Sequence, residues 1–219
     1  MTRLAVFDLD GTLVDSRATI SAAVTAAWRA LELDPPSYDE TRRIVGLSLN
    51  EAVRMLAPSL PEARIGALSD AYKNAFLANR AAGAHEPLYE GARETLAALK
   101  EAGWLIGAAT GKARRGIDHI FAHHDIGQYF DCAFCADDGP GKPDPHMLRL
   151  NMEALGADAA STIMIGDTTH DMLMARAAGA YGLGVSWGFH TADEVSEHAH
   201  EVAHDFGALN AALVRWRAS

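Results

Sequence analysis

Two aspartates stand two residues apart where an apolar run of the sequence ends. Leu4–Phe7 has the composition of a short buried strand, and Asp8, Asp10 and Gly11 follow it. In open α/β sheets, ligands bind in the crevice at the carboxyl ends of the strands, where Asp8 would lie. Because strand side chains alternate between faces, Asp8 and Asp10 can lean toward the same side. Two such carboxylates can divide a reaction, one as the nucleophile and the other as the group that transfers a proton.

Polar side chains also follow two later apolar runs and occupy one stiff turn. Thr110 and Gly111 end the second predicted strand, and their hydroxyl and backbone amides suit a phosphoryl oxygen. Lys142 stands between a glycine and a proline, so the confined backbone aims its ammonium group. Asp167 and Asp171 follow another apolar run and flank the start of a predicted helix. These segments are expected to meet at one edge of the sheet.

The charge of the chain restricts its ligands. A net charge of −10 excludes nucleic acid or an anionic membrane as the main partner, since both need a basic surface. Carboxylate oxygens gathered at one edge suit Mg²⁺, which prefers octahedral oxygen coordination. Together, Mg²⁺ and Lys142 would neutralise enough negative charge for a phosphate dianion to enter the crevice. No signal peptide or membrane span is recognised, so a cytoplasmic protein is expected.

The order of apolar runs predicts an α/β fold. Helical patterns separate the last four of five strand-like segments, and this alternation implies parallel pairing through right-handed crossovers. We therefore expect a three-layer, Rossmann-like core with a parallel sheet and the first strand at its centre. The strand-like segments cover residues 3–8, 103–110, 130–136, 161–166 and 181–186.

The interval between the first two strands differs from the others. Residues 15–86 contain helical patterns and no convincing strand, and Ser37–Glu40 has the form of a capping box. The block is too long for one crossover helix, which favours an all-helical cap inserted into the sheet domain. The predicted division is a core of residues 1–14 and 87–219 with a cap of residues 15–86.

The ordered motifs resemble the haloacid dehalogenase-like hydrolases, in the branch that has a helical cap after the first strand. The resemblance covers nearly the whole chain. It implies that Asp8 is the nucleophile and becomes phosphorylated, whereas Asp10 protonates the leaving oxygen and then activates water. The four motifs are Asp8–Thr12, Thr110, Lys142 and Gly166–Asp171.

The same resemblance implies roles for the other motif residues. Thr110 and the Gly111 amide would hold the phosphoryl group, and Lys142 would steady the charge of Asp8 and the phosphate. These roles agree with phosphoryl transfer, which depends on positioning and charge neutralisation. The implied Mg²⁺ ligands are the Asp8 side chain, the Asp10 carbonyl and Asp167, with Asp171 supporting the metal's water shell.

Differences between this sequence and family members with other activities favour a phosphatase. Family members that remove halogens replace the acid found here as Asp10. Phosphonoacetaldehyde hydrolases need a cap lysine, but this sequence has no lysine before Lys73. Sugar phosphomutases carry arginine and histidine where this chain has Leu49 and Ile20. The segment Gly184–Phe189 is similar to phosphoglycolate phosphatases, so phosphoglycolate is one expected substrate.

The identity of the substrate stays open at this point. Cap residues of segment 42–48, Arg43 and Gly46 among them, are candidates for substrate binding. The expected partner is a small phosphorylated metabolite, and the chain is expected to be a monomer or homodimer. Hydrolysis of pyrophosphate or nucleotides is the enzymatic alternative. The non-enzymatic alternative is a module that binds a phosphate ligand for regulation.

Two other motifs are interpreted as coincidental. His200–His204 spells H-E-x-x-H, but Asp205 is expected to cap the terminal helix, which leaves the histidines on an extended stretch. Cys132 and Cys135 have the C-x-x-C spacing inside an apparent buried strand, so two core cysteines are expected. His170 is expected in a solvent-facing loop.

Overall fold

A six-stranded parallel β-sheet forms the centre of the computed structural model, which describes residues 2–216. The order across the sheet is β3-β2-β1-β4-β5-β6, so the first strand has a neighbour on each side. This arrangement confirms the predicted α/β fold and its central first strand. In chain order the strands are β1 (Leu4–Phe7), β2 (Leu105–Thr110), β3 (Cys132–Cys135), β4 (Thr162–Gly166), β5 (Tyr181–Val185) and β6 (Glu201–Ala203).

Helices cover both faces of the sheet. Ala5 and Phe7 of β1 pack in the apolar cluster that includes α5, α6 and α10, whereas Leu4 and Val6 pack with α7 and α8. Alternation along the strand therefore builds the three predicted layers. The helices are α1 (Arg17–Ala30), α2 (Tyr38–Arg42), α3 (Leu49–Leu56), α4 (Glu62–Ala81), α5 (Ala92–Glu101), α6 (Arg114–His123), α7 (His146–Leu155), α8 (Thr169–Ala178), α9 (Ala192–Ser196) and α10 (Phe206–Arg215).

Helices α1–α4 lie between β1 and β2, and α1, α3 and α4 share a second apolar cluster with the segment before α3 and with Phe189. Ile20, Val24 and Ala27 recur at i, i+4 and i+7, so α1 has one buried face. That cluster also contains Ile65 and Leu68 of α4, the helix that packs most extensively against α1. Helices α1, α3 and α4 therefore bury their apolar surface largely against one another.

The two segments that join these helices to the sheet run side by side. The Asp15 N–H donates to the Pro87 carbonyl at 2.8 Å, and the Tyr89 N–H donates to the Leu13 carbonyl at 3.0 Å. Both crossings therefore occupy one place in the molecule. The division into a core and a cap at residues 15–86 stays a prediction.

Local signals for helix ends are reproduced in several places. Ser37 and Glu40 form the expected capping box at the start of α2, and Asp205 caps α10 through the Ala208 N–H at 2.7 Å. No helix formed by residues 2–216 combines the length and the apolar character that crossing a bilayer requires.

The two coincidental motifs lie where their local sequence predicts. Residues of H-E-x-x-H form β6 instead of a helix, and His200 Nδ1 accepts a hydrogen bond from the Gly182 N–H at 3.0 Å.

Both cysteines are in β3 and are free thiols. Burial raises the pKa of each thiol to about 11, which makes them poor nucleophiles. Cys135 is buried as expected, whereas Cys132 is only half-buried, and its thiol donates a hydrogen bond to Asn151 Oδ1.

The expected loop position of His170 is wrong. His170 lies in the first turn of α8, because the capping box formed by Thr168 and Asp171 starts the helix just before it. Its Nε2 is 3.0 Å from the Arg43 carbonyl, on the segment between α2 and α3. His170 therefore links the helical block to the sheet domain.

Candidate active site

The residues singled out by their motifs follow the carboxyl ends of three neighbouring parallel strands. Asp8 and Asp10 follow β1, Thr110 ends β2, and Asp167 follows β4, which pairs with β1. Parallel strands present their carboxyl ends at one edge, so these side chains converge there. Lys142 comes to the same place from the turn between β3 and α7.

Asp8 has two carboxylate oxygens in different surroundings. Asp8 Oδ1 accepts a hydrogen bond from the Leu9 N–H at 2.7 Å and lies 2.9 Å from Lys142 Nζ. Asp8 Oδ2 is buried and has no hydrogen-bond partner among residues 2–216. An unpaired buried carboxylate oxygen is costly, so a ligand or a metal ion is expected to contact it.

Asp167 is fixed in place by two donors. Thr12 Oγ1 donates to Asp167 Oδ1 at 2.8 Å, and the Phe189 N–H donates to Asp167 Oδ2 at 2.8 Å. Two glycines, Gly11 and Gly188, leave the space that this carboxylate fills, since a Cβ on either one would collide with it. Each oxygen keeps a free lone pair, so the Asp167 carboxylate is fixed in orientation and can still bind a ligand.

Asp171 connects the start of α8 to Lys142. Its Oδ2 accepts from the Thr168 N–H at 3.1 Å and from Thr168 Oγ1 at 2.7 Å. Its Oδ1 lies 2.6 Å from Lys142 Nζ. Lys142 is fully buried between Asp171 and Asp8, an environment in which only a paired ammonium is stable. Burial alone would lower the pKa of Lys142, but these two carboxylates outweigh burial and raise it.

The acidic cluster fits a hard divalent cation. Asp8, Asp167 and Asp171 each offer one oxygen within a group of atoms that lie at most 4.8 Å apart. Burial and the neighbouring carboxylates raise the pKa values of Asp8 and Asp167, so their charges need further compensation. Three carboxylates with one ammonium leave two negative charges, which a divalent cation would balance. Oxygen donors alone favour Mg²⁺ or Ca²⁺ over softer metals.

A cavity of about 640 Å³ opens above Asp8. Asp8, Asp10, Thr110 and Gly111 line its base, whereas Lys142, Asp167 and Asp171 lie beneath Asp8 and are fully buried. Helices of the inserted block form a largely apolar wall, which Lys73 and Arg80 also line. This wall includes Ile20, Val24, Trp28, Val53 and Phe76.

The segment before α3 closes against the base of this cavity. A Cβ at Gly111 would lie 2.7 Å from the Gly46 carbonyl oxygen and 2.6 Å from that of Leu47. Gly46 has a φ of +97°, and a Cβ there would lie 3.2 Å from Thr168 Oγ1. Gly46 therefore lies at the boundary between the helical block and two loops of the sheet edge.

The structure does not bring Arg43 to this cavity. Its side chain is 60% exposed and pairs with Asp39 at 2.9 Å, on the outer side of α2. The neighbouring Arg42 pairs with Glu194 of α9 at 2.7 Å. Two adjacent arginines are thus engaged by carboxylates, and neither guanidinium lines the space above Asp8.

Two further buried residues, Lys112 and Glu86, lie at the site but belong to none of the four motifs. Lys112 Nζ lies 2.9 Å from Asp10 Oδ1 and 2.8 Å from Glu86 Oε1. Burial alone would lower the pKa of Lys112, but Asp10 and Glu86 raise it above its ordinary value. A lysine two residues after Thr110, at a strand end, is the sequence signal for this group. Glu86 has no comparable local signal, because its partner is distant in sequence.

Comparisons with known proteins agree with this geometry. The model of a family described as haloacid dehalogenase-like hydrolase matches residues 5–185. The protein named "Probable phosphatase IndB" of Dickeya dadantii is 37% identical, over 94% of this chain and 90% of the relative. The phosphoglycolate phosphatase of Agrobacterium fabrum is 32% identical, over 97% of this chain and 93% of the relative.

A solved structure supports the same relationship. The crystal structure of a hydrolase from Pseudomonas syringae superposes with a TM-score of 0.86 and 26% identity, and the match covers 98% of each chain. The sheet order, the acidic edge and the family match lead to one conclusion. This chain belongs to the haloacid dehalogenase-like hydrolase family.

Proposed function

We propose that this protein is a Mg²⁺-dependent phosphatase that hydrolyses a small phosphate monoester through phosphorylated Asp8. The observation that carries the proposal is the unpartnered, buried Oδ2 of Asp8, a residue that lines the cavity and pairs with the Lys142 ammonium through its other oxygen. A carboxylate held by Lys142 and the Leu9 N–H through one oxygen presents the other to a substrate. The relatives named phosphatases support the same reaction class.

In the first step, Asp8 Oδ2 attacks phosphorus, and the bond from phosphorus to the ester oxygen breaks. Asp10, two residues further along, gives its proton to that leaving oxygen. In the second step, Asp10 takes a proton from water while the water oxygen attacks phosphorus. The bond from phosphorus to Asp8 then breaks, which releases inorganic phosphate and restores both side chains.

Other residues position the phosphoryl group and balance its charge. Thr110 ends β2 at the cavity base, so its hydroxyl and the Gly111 N–H are our candidates for contacts to phosphoryl oxygens. Lys142 supports Asp8 from below, and Asp171 fixes Lys142. Tight packing of these buried groups holds them in place before substrate arrives.

We assign the metal site to Asp8, Asp167 and the Asp10 carbonyl, with Asp171 supporting bound water. A bound Mg²⁺ would neutralise developing phosphate charge and align the phosphoryl group with Asp8. Asp167 suits this role because Thr12 and Phe189 fix its orientation.

We also propose that residues 15–86 act as a cap over the cavity. Gly46 packs on the loops that follow β2 and β4, so the block already covers the strand ends in this structure. A cap would exclude water during phosphoryl transfer. Gly46 stays in the proposed binding segment, whereas Arg43 faces away and is left out of it.

A substrate screen tests this proposal. Purified protein is incubated with phosphoglycolate, sugar phosphates, nucleotides and pyrophosphate, with Mg²⁺ or with excess chelator, and inorganic phosphate is measured. We expect turnover of at least one small monoester that chelator abolishes and added Mg²⁺ restores. Phosphoglycolate leads the screen because relatives at about 30% identity carry that name. Turnover limited to pyrophosphate, or an absence of Mg²⁺-dependent turnover on every compound, would contradict the proposal.

A further inference from the structure

Lys112 is buried against Asp10 but has no part in the reaction described above. Lys112 Nζ lies 2.9 Å from Asp10 Oδ1 and 2.8 Å from Glu86 Oε1, and its side chain is only 8% exposed. Glu86, itself 4% exposed, pairs with Arg80 Nη2 at 2.9 Å. A chain of four alternating charges therefore runs from Asp10 to the last turn of α4.

Aromatic packing shields this chain of charges. The Phe76 ring centre lies 5.5 Å from Lys112 Nζ and 5.2 Å from Arg80 Cζ. Cations at such distances are attracted to the ring face, and the ring limits the access of water. The ammonium of Lys112 is thus held from three sides, by two carboxylates and one ring.

The placement of Asp10 explains what this arrangement could do. Asp10 lies in the turn after β1 and is one of the residues that line the cavity. Among residues 2–216, Lys112 is the one cation paired with it. A general acid is effective only when its carboxyl is oriented toward the leaving oxygen. Lys112 is placed to fix that orientation, because its Nζ lies 2.9 Å from Asp10 Oδ1.

We propose that Lys112 is a positioning residue that orients the Asp10 carboxyl for proton transfer, and that Glu86 holds Lys112 for this task. The inference rests on the proposed phosphatase function. It also links the acid to α4 of the cap, since Arg80 holds the far end of the chain of charges.

The dependence of rate on the leaving group separates these roles. The variant Lys112→Met keeps the unbranched stem and removes the charge. The second-order constant kcat/KM is measured with saturating Mg²⁺ for 4-nitrophenyl, phenyl and ethyl phosphate. A good leaving group needs little help from an acid, whereas an alkoxide needs much. We expect losses of about 10-fold for 4-nitrophenyl phosphate and about 10³-fold for ethyl phosphate.

Two variants complete the test. Lys112→Arg retains a cation and should restore most of the activity on ethyl phosphate. Lys100→Met is the matched control, because Lys100 also pairs with an aspartate, Asp131 at 2.8 Å, but on the surface of α5. That variant should leave the dependence on the leaving group unchanged.

Other outcomes overturn the inference. Equal losses on all three esters would assign Lys112 to phosphate binding or to structure alone, and unchanged rates would remove it from the site. If Lys112→Met does not fold, Glu86→Gln takes its place and should give a smaller change of the same kind. Wild-type protein inactive on every ester would contradict the proposed function itself. Active wild-type protein with an unchanged leaving-group dependence in the variants would contradict only the role of Lys112.

Discussion

At the scale of single residues, the two carboxylate oxygens of Asp8 have different surroundings, and we propose Oδ2 as the reacting atom. Oδ1 is held by Lys142 and the Leu9 N–H, and Oδ2 has no partner among the described residues. Asp8→Asn keeps the shape and replaces a nucleophilic carboxylate with an amide. Turnover should fall by roughly 10⁴-fold or more, as it does when other covalent enzymes lose their nucleophile. Steady-state assays measure this loss, and circular dichroism checks that the variant folds. Turnover near the wild-type rate would refute the role of Asp8.

Close approach of the backbone to Asp167 gives a second prediction at this scale. A Cβ on Gly188 would collide with Asp167, whereas a Cβ on Gly66 of α4 would meet nothing within 4 Å. Gly188→Ala should therefore lower the free energy of unfolding by about 1–3 kcal/mol, since overpacking forces the carboxylate to move. Gly66→Ala is the control and should raise stability by up to about 1 kcal/mol. Denaturant unfolding of both variants compares the two effects, and equal stabilities would contradict this packing.

At the scale of elements, an ion pair connects α2 of the helical block to α9 of the sheet domain. Arg42 lies 2.7 Å from Glu194, and this contact, together with hydrogen bonds from Thr191, lowers the pKa of the Glu194 carboxyl to about 2. The unfolded chain takes up a proton near the ordinary value of 4.5, so the folded state retains the charge to lower pH. The pair therefore stabilises the fold above that value, and the contribution disappears as pH falls toward 2.

Glu194→Gln isolates this effect because glutamine can preserve the capping box with Thr191. The variant should unfold at a lower temperature than wild type at about pH 6, and the difference should shrink by about pH 3. Thermal unfolding followed by circular dichroism at several pH values measures it. A difference that stays constant, or grows toward low pH, would contradict an ion pair at this position.

The strands and helices show which features of the fold local sequence patterns can predict. The apolar runs before Asp8 and Asp167 predict β1 and β4, because buried parallel strands need continuous apolar residues. β6 has only three residues at the sheet edge, with a glutamate among them, so its sequence predicts no more than an extended stretch. The capping boxes at Ser37 and Thr168 are local, and helix starts follow from them.

Contacts between distant turns lie beyond such patterns. Gly46 approaches the Gly111 loop where the helical block packs on the edge of the sheet, and no local spacing encodes that approach. Likewise, Glu86 can pair with Lys112 only because α4 and the segment that follows it, residues 82–91, bring Glu86 into the interior. Arg43 is the opposite case. The sequence predicts that it contacts substrate, but its side chain pairs with Asp39 and is exposed to solvent. Convergence of the acidic motifs was predictable because parallel strands share one edge.

At the scale of the whole molecule, cation binding should stabilise the fold. The buried cluster of Asp8, Asp167 and Asp171 has excess negative charge, which a bound ion would neutralise in the folded state alone. Mg²⁺ at about 100 times its Kd should add about 2.7 kcal/mol to the free energy of unfolding. Excess chelator should reverse the shift, and Asp167→Asn should reduce it. Thermal unfolding with and without Mg²⁺ measures the effect, and an identical shift in that variant would contradict the assigned ligand.

The central claim is that Asp8 accepts the phosphoryl group, and chemical trapping tests it most directly. Wild-type protein and Asp10→Asn, in which breakdown of the intermediate should be slow, are mixed with 4-nitrophenyl phosphate and Mg²⁺ and quenched in acid. Borohydride then reduces an aspartyl phosphate to homoserine, which mass spectrometry locates in the chain. We expect homoserine at position 8 only when substrate is present. A phosphoryl group on another residue, or none during active turnover, would contradict the account.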